Sequence, residues 1–343
     1  MGECKWPALL AKKAYIPYLD TMKMLIWILP LYVVVQVVAG AEQNRTSLRF
    51  RRSGGYPKFP VPGVVPSLSC GTREITFEPR RSGTPYPKIV GGTAGPYGAY
   101  PWQVEIEIWQ LTDRQWQHHC GGAVLSDRLV VTAAHCLQDV EPSRLRVVVG
   151  DYKLGERDKH EQSFRVERVL VHPNFRRMGP YSNDIGLLKL KSAGDKGITF
   201  NSHVRAICLP SPSAVAKEAA GSWCTVTGWG AQEASDPDSL SAELRAAAVP
   251  LLDLETCRDN SVYGGRHQSI LDSMLCAGLL EGGVDACGGD SGGPLACEVD
   301  GRYVLTGVVS WGDGCAKKDR PGVYTRVSHY VEWIEASMKK LGL

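Results

Sequence analysis

An all-β body, folded as a sandwich or a barrel and stapled by disulfides, is the fold class that this 343-residue chain predicts. Three observations predict it. Short stretches alternate apolar and polar residues at the two-residue period of a strand. Turn-forming residues separate them, with Gly 37 and Pro 21 in the whole chain. Ten of the 11 cysteines fall at or after position 70, an even set that suits disulfides in an oxidising compartment. Hydrophobic content of 43% and charged content of 22% exclude wholesale disorder.

The first segment, 1–41, reads as a signal peptide. Met24 to Ala41 contains no charge, Lys23 precedes it, and Ala39-Gly40-Ala41 offers the small residues a signal peptidase accepts. The long lead before it would suit a signal anchor, so a type II membrane anchor is the alternative. Residues 42–88 are rich in Arg, Gly, Pro and Ser and show no amphipathic period, which predicts a flexible basic linker. A short repeat recurs there, RRSGGYPK at 51–58 and RRSGTPYPK at 80–88. Asn44-Arg45-Thr46 is a glycosylation sequon. Arg49-Phe50-Arg51-Arg52 resembles a processing site, and a solvated basic stretch explains it as well.

The body, 89–343, carries the strand signals. Trp102, Val104, Ile106 and Ile108 alternate with Gln103, Glu105 and Glu107 as in a half-buried strand. Further strands are predicted at 144–150, 163–171 and 303–311. Only the C-terminal end looks helical. There Tyr330, Ile334, Met338 and Leu341 share one face, with Ser328 as the expected N-cap. The charge divides unevenly: four basic against two acidic residues in 1–41, nine against three in 42–88, and a net −5 in the body of a chain that totals +3. An acidic body argues against a nucleic-acid-binding core. The absence of C-x-x-C and H-E-x-x-H leaves zinc ribbons and zincins unsupported.

The chemistry concentrates in Asp285-Ala286-Cys287-Gly288-Gly289-Asp290-Ser291-Gly292-Gly293-Pro294. A serine hydroxyl needs a base to take its proton and donors where a carbonyl oxygen becomes negative. Glycines beside Ser291 let the backbone turn sharply and bare its N–H groups. His135, in Thr132-Ala133-Ala134-His135-Cys136, is the candidate base. Asp184, in Asn183-Asp184-Ile185-Gly186-Leu187-Leu188, begins an apolar strand where a carboxylate can hold one imidazole nitrogen.

With TAAHC, NDIGLL and GDSGGP in the order His, Asp, Ser, residues 89–343 resemble the trypsin/chymotrypsin family of serine endopeptidases. The resemblance implies two six-stranded antiparallel β-barrels with a C-terminal helix and the active site in the cleft between them. It implies a catalytic triad of His135, Asp184 and Ser291, with an oxyanion hole from the N–H groups of Gly289 and Ser291. It also implies a zymogen: cleavage after Lys88 frees the α-amino group of Ile89, which pairs with Asp290. The cysteine pairs implied are Cys70–Cys208, Cys120–Cys136, Cys224–Cys297, Cys257–Cys276 and Cys287–Cys315, leaving Cys4 alone. In the substrate-binding region Asp285 takes the base of the primary pocket, Gly312 and Gly322 its walls, and Ser310 and Trp311 the side of the substrate backbone. A buried carboxylate there selects Arg or Lys. Ala286, where many relatives carry Ser, favours Arg, because a guanidinium still forks onto Asp285; Lys88 then calls for a separate activating protease. Gly288, where many relatives carry Gln, leaves the pocket mouth open. VVVGDY (147–152) and VTGWG (226–230) are similar to the protease module of the neurotrypsin group.

Asp151, Asp158 and Glu161 align by spacing with the calcium loop of some family members, although surface acids in a loop need no metal. The chemistry requires no cofactor, and calcium enters only as a structural ion. Expected partners are protein or peptide substrates, an activating protease and protein inhibitors, with no nucleic acid, in a secreted, extracellular setting. The rival reading is a non-catalytic protease homologue acting as a binding module.

Overall fold

The computed structural model describes residues 70–81 and 92–343, apart from 193, 195, 216, 234, 267 and 268. The expected signal segment, Asn44, Cys4 and the Lys88–Ile89 bond lie outside the described residues.

After a two-residue strand β1 (Thr93–Ala94) come β2 (Gln103–Gln110), β3 (Gln115–Ser126), β4 (Leu129–Thr132), β5 (Leu145–Val149), β6 (Gln162–Val171) and β7 (Gly186–Leu190). They close into a barrel in the order β2-β3-β4-β7-β6-β5, with β5 returning to β2. Closure removes the unpaired edges an open sheet would expose. A short helix α1 (Pro212–Val215) precedes β8 (Trp223–Gly228) and a hairpin of β9 (Ala231–Glu233) and β10 (Asp236–Leu240). Then follow β11 (Arg245–Leu252), a short helix α2 (Leu254–Arg258), β12 (Met274–Ala277), β13 (Pro294–Val299), β14 (Arg302–Trp311) and β15 (Gly322–Arg326). Here β8 pairs with both β13 and β11, so six strands again form a closed ring, and β1 pairs with the first two residues of β11. All five disulfides implied by the family resemblance are formed.

One apolar cluster runs through the first barrel, with Trp102, Ile106, Leu129 and Leu187 fully buried, and continues into Leu305, Val308 and the C-terminal helix. Burying a side chain of that size contributes about 1.5–3 kcal/mol. The C-terminal helix α3 (Val331–Leu341) buries Ile334, Met338 and Leu341, as its period predicts. Ser328 does not cap it. Residues Val327–Tyr330 form a 3-10 turn, so the helix starts later, at Val331, with Tyr330 at the N-cap and no side-chain cap.

Two further readings change. Strand β2 is not half-buried, since Gln103, Glu105 and Glu107 are buried along with its apolar residues. Each has a partner: Gln103 accepts from Thr227 Oγ1 at 2.6 Å, Glu105 faces His118 at 3.2 Å, and Glu107 holds the Arg146 guanidinium. Nor are residues 70–81, in the stretch read as flexible linker, free. The Gly71 N–H donates to Ala206 and its carbonyl accepts from Tyr303, both at 2.8 Å. Its φ is +66° and a Cβ would lie 2.3 Å from the Tyr303 carbonyl oxygen, so only glycine fits there. Arg73 stacks over the Tyr303 ring at 4.5 Å, and Ile75 and Phe77 pack on the core. Cys70–Cys208 is thus one of several attachments.

Candidate active site

His135 sits in the 3-10 turn Ala134–Cys136 that follows β4, and the Cys120–Cys136 bond ties that turn back to β3. Asp184 immediately precedes β7 and is 0% exposed. Its Oδ2 accepts from His135 Nδ1 at 2.7 Å and from the Ser310 hydroxyl at 2.6 Å, and its Oδ1 accepts the His135 backbone N–H at 2.9 Å. Three donors on one buried carboxylate fix the imidazole in the tautomer protonated at Nδ1, leaving Nε2 able to accept a proton. Ser310, expected beside the substrate backbone, spends its hydroxyl on Asp184.

Ser291 and His135 line the same cavity of about 260 Å³, together with Asp285, Ala286, Gly288, Ser310, Trp311, Gly312 and Gly322. Of the residues the sequence assigned to reaction and primary pocket, Asp184 lies buried behind His135, and Gly289 and Asp290 immediately precede Ser291 in the chain; the others line the cavity. The Ser291 carbonyl accepts from Gly121 N–H at 2.8 Å, joining the serine loop to β3. A Cβ on Gly121 would lie 2.9 Å from the Cα of Gly293, so the two barrels meet glycine to glycine. The N–H groups of Asp290, Gly292 and Gly293 are bonded to Cys287, Val309 and Asp290 carbonyls. Those of Gly289 and Ser291 have no acceptor among the described residues, which suits an anion-binding pair.

Asp285 is 2% exposed at the foot of the cavity. The N–H groups of Ala286 at 2.8 Å and Ala316 at 3.3 Å reach it, yet burial pushes its carboxyl up to about 8. No described cation pairs with it. A Cβ on Gly322 would lie 2.6 Å from Asp285 Oδ1, so that wall position must stay bare. Around Gly288 a Cβ would meet nothing within 4 Å, which leaves the mouth open. Asp290 is 1% exposed and accepts from Gly230 N–H at 2.7 Å and Cys287 N–H at 2.9 Å. Burial raises its pKa too. A carboxylate so enclosed is costly unless a cation joins it.

Two residues of this region escaped the sequence. Tyr181 lines the cavity, meets the His135 ring edge-on at 5.9 Å and stacks on Trp311 at 6.0 Å. His118 is buried beneath the serine loop, with Nε2 2.9 Å from the Gly289 carbonyl and Nδ1 3.2 Å from Glu105 Oε1. The carbonyl can only accept, so Nε2 carries the hydrogen. Burial lowers the His118 pKa and raises that of Glu105. Both shifts favour an uncharged pair in which the Glu105 carboxyl donates to Nδ1, and the contact is a hydrogen bond more than an ion pair. The only local signal was the doublet His118-His119 before Cys120.

The acidic loop holds itself together. Asp158 Oδ2 accepts the N–H groups of Tyr152 at 2.6 Å and Lys153 at 3.0 Å, and Glu161 accepts that of Asp158 at 3.1 Å. Asp151 packs against Glu105; burial raises both carboxyls, and the neighbouring Glu105 raises Asp151 further. Among the described residues, the group whose ligand atoms converge closely enough for a metal is Cys120, His135 and Cys136. Its cysteines are disulfide-bonded. Asp151, Asp158 and Glu161 are not such a group, and the buried Asp151 Oδ1 has no hydrogen-bond partner among the described residues.

Among the described residues no helix is long and apolar enough to cross a membrane. The family description Trypsin matches residues 89–334. The chain is 37% identical to hepatocyte growth factor activator serine proteases of Canis lupus familiaris over 276 residues, 80% of this chain and 39% of that protein. It is 38% identical to urokinase-type plasminogen activator of Gallus gallus over 266 residues, 76% of this chain and 59% of that protein. To coagulation factor XI of Bos taurus it is 38% identical over 248 residues, 72% of this chain and 37% of that protein. The chain therefore spans only 37–59% of the length of these relatives.

Proposed function

The chain belongs to the trypsin family, and from that premise we propose that it is a serine endopeptidase, made as a secreted zymogen and specific for Arg over Lys. The observation that carries the reading is that His135, held by the buried Asp184 at 2.7 Å, lines one cavity with Ser291 and the cation-free Asp285.

Catalysis then runs as a proton relay around one covalent intermediate. The substrate's basic side chain enters the cavity and its charge pairs with Asp285. Ser291 Oγ bonds to the scissile carbonyl carbon while His135 Nε2 takes the hydroxyl proton. The carbonyl oxygen becomes negative between the N–H groups of Gly289 and Ser291, and Asp184 stabilises the imidazolium. Collapse breaks the C–N bond, His135 gives its proton to the departing amine, and an acyl ester remains on Ser291. Water, deprotonated by His135, repeats the sequence and releases the acid. Removing one oxyanion donor in such a site costs about 10²–10³ in rate.

Before cleavage after Lys88 the pocket lacks its cation for Asp290. The freed Ile89 ammonium supplies it, and the resulting pair fixes the loop that carries Gly289 and Ser291. The boundary between prosegment and protease at Lys88–Ile89 belongs to this reading, as do the cleaved signal segment and the glycan on Asn44. Five disulfides support an extracellular setting. Ala286 supports the Arg preference, since it adds no hydroxyl beside Asp285 for an ammonium.

A profile of peptides cleaved by the Lys88-processed protein tests the reading. Cleavage after Arg, with Lys several-fold slower, is expected. Equal turnover of matched Arg and Lys peptides removes the preference, and cleavage of neither favours the binding-module reading. Sequencing the mature N-terminus separates a secreted start at Glu42 from a retained anchor.

A further inference from the structure

We propose that the outer face of β5, β6 and β7 is a binding site for a sulfated glycosaminoglycan. Directly opposed residues of antiparallel strands project from the same face, with Cβ atoms about 4.5–5.5 Å apart. Across β5 and β6 the partners are Arg146 and Arg165. The row continues into Lys191, whose N–H donates to the Arg165 carbonyl at 2.9 Å. One step along, Arg168 faces Lys189. Like charges placed opposite each other destabilise a sheet, so a ladder of three such pairs needs a compensating partner.

The protein supplies it at the β5 end, where Arg146 lines a cavity with Glu105, Glu107, Asp151, Glu156 and Glu161, and supplies little across β6 and β7. Glu167 is shared between Arg128 and Lys189, each at 3.1 Å, and Arg146 is held by Glu107. Arg165, Arg168 and Lys191 are exposed and form no ion pair with any described residue. The Lys189 Nζ also donates to the Leu341 carbonyl at 2.8 Å, which brings the last turn of α3, with exposed Lys339 and Lys340, to the edge of the ladder. This face is basic although the body from 89 to 343 totals −5, so the charge is segregated.

The occupant follows from what the face offers and lacks. Cations at strand spacing match a chain of closely set anions, and guanidinium forks suit sulfate oxygens. The aromatic ring at the ladder, Trp116, is already covered by the Arg146 guanidinium at 4.7 Å and so offers no free face on which a base could stack; none of the five ladder residues is apolar, so none enters a bilayer. The preference for a polysaccharide over nucleic acid also rests on the extracellular reading, whereas the site itself does not.

Titration of the full chain with a fluorescent heparin dodecasaccharide, at several salt concentrations, tests the proposal. The triple variant Arg165→Ala/Arg168→Ala/Lys191→Ala should bind at least tenfold more weakly, with a log–log salt slope smaller by about 2–3 through fewer released counterions. The single variant Arg168→Glu should give a loss in the same direction. Arg51→Gln/Arg52→Gln/Arg80→Gln/Arg81→Gln, in the basic prosegment, should stay within threefold of the parent. Unchanged binding by the ladder variants overturns the site, as does abolition by the prosegment variant alone. Duplex DNA, hyaluronan or phosphatidylserine vesicles bound as tightly as heparin would overturn the assigned partner. Hydrolysis of an arginine ester by the Lys88-processed triple variant should match the parent, since no ladder residue lines the cavity.

Discussion

Replacing Asp285 by Asn perturbs the pocket without changing its shape, and the structure sets both consequences. The carboxyl sits at the foot of a cavity of about 260 Å³, is 2% exposed, and receives only two backbone N–H groups. Truncating one partner of a buried charge pair costs about 2–5 kcal/mol. That corresponds to a loss of roughly 30- to 5,000-fold in kcat/KM for an arginine substrate. A matched substrate with a neutral residue at the same position should lose little or gain. The second consequence concerns the protein without substrate. Burial pushes the Asp285 carboxyl up to about 8, so between its unfolded pKa near 4 and about 8 the folded state binds one more proton than the unfolded one. Stability then falls as pH rises, by ~1.4 kcal/mol per pH unit relative to the Asn variant across that window. The assays are steady-state kinetics on paired Arg and Leu peptides and thermal melts from pH 4 to 8. A loss under fivefold for arginine, or a wild type that gains stability over the variant as pH rises, would refute the reasoning.

The remaining outcomes follow from the same geometry, apart from that at Lys88, which follows from the activation reading. Ser291→Ala should reduce kcat by roughly 10⁶ and Asp184→Asn by roughly 10⁴, through the wrong imidazole tautomer; both variants should keep the parental melting temperature within a few degrees. Lys88→Gln should leave a folded zymogen that trypsin cannot switch on at this site, and Asp290→Asn should stay inactive even after cleavage, both read by ester hydrolysis. His118→Ala releases the Gly289 carbonyl and should lower kcat about 10- to 100-fold with KM within twofold, short of losing the oxyanion donor itself. Because Asp158 and Glu161 already accept backbone N–H groups, removing divalent ions with EDTA should shift neither Tm nor activity; a fall of several degrees restored by Ca²⁺ contradicts that expectation.

Local chemistry was legible in the sequence. Ser291 and its glycines, His135 beside Cys136, and Asp184 before an apolar strand each carry their signal within about ten residues, and Asp285 lies six positions ahead of Ser291. The strands at 144–150, 163–171 and 303–311 showed because alternation is itself a local property. What escaped depends on distant partners. Strand β2 reads as half-exposed, yet Gln103 is buried by Thr227, which lies 124 residues away. His118 acquires its role from Gly289, 171 residues away. Tyr181 lies in an irregular loop, and only the folding of β14 beneath it places Trp311 against its ring. Arg73 looks like one more basic residue of a linker until Tyr303, 230 residues on, offers it a ring face and a hydroxyl.

The most direct measurement is active-site titration of the Lys88-processed protein with a fluorophosphonate, followed by mapping of the modified residue. About one label per molecule, on Ser291 and lost in His135→Ala, is the expected result. Folded, fully processed protein that takes up no label would contradict the account.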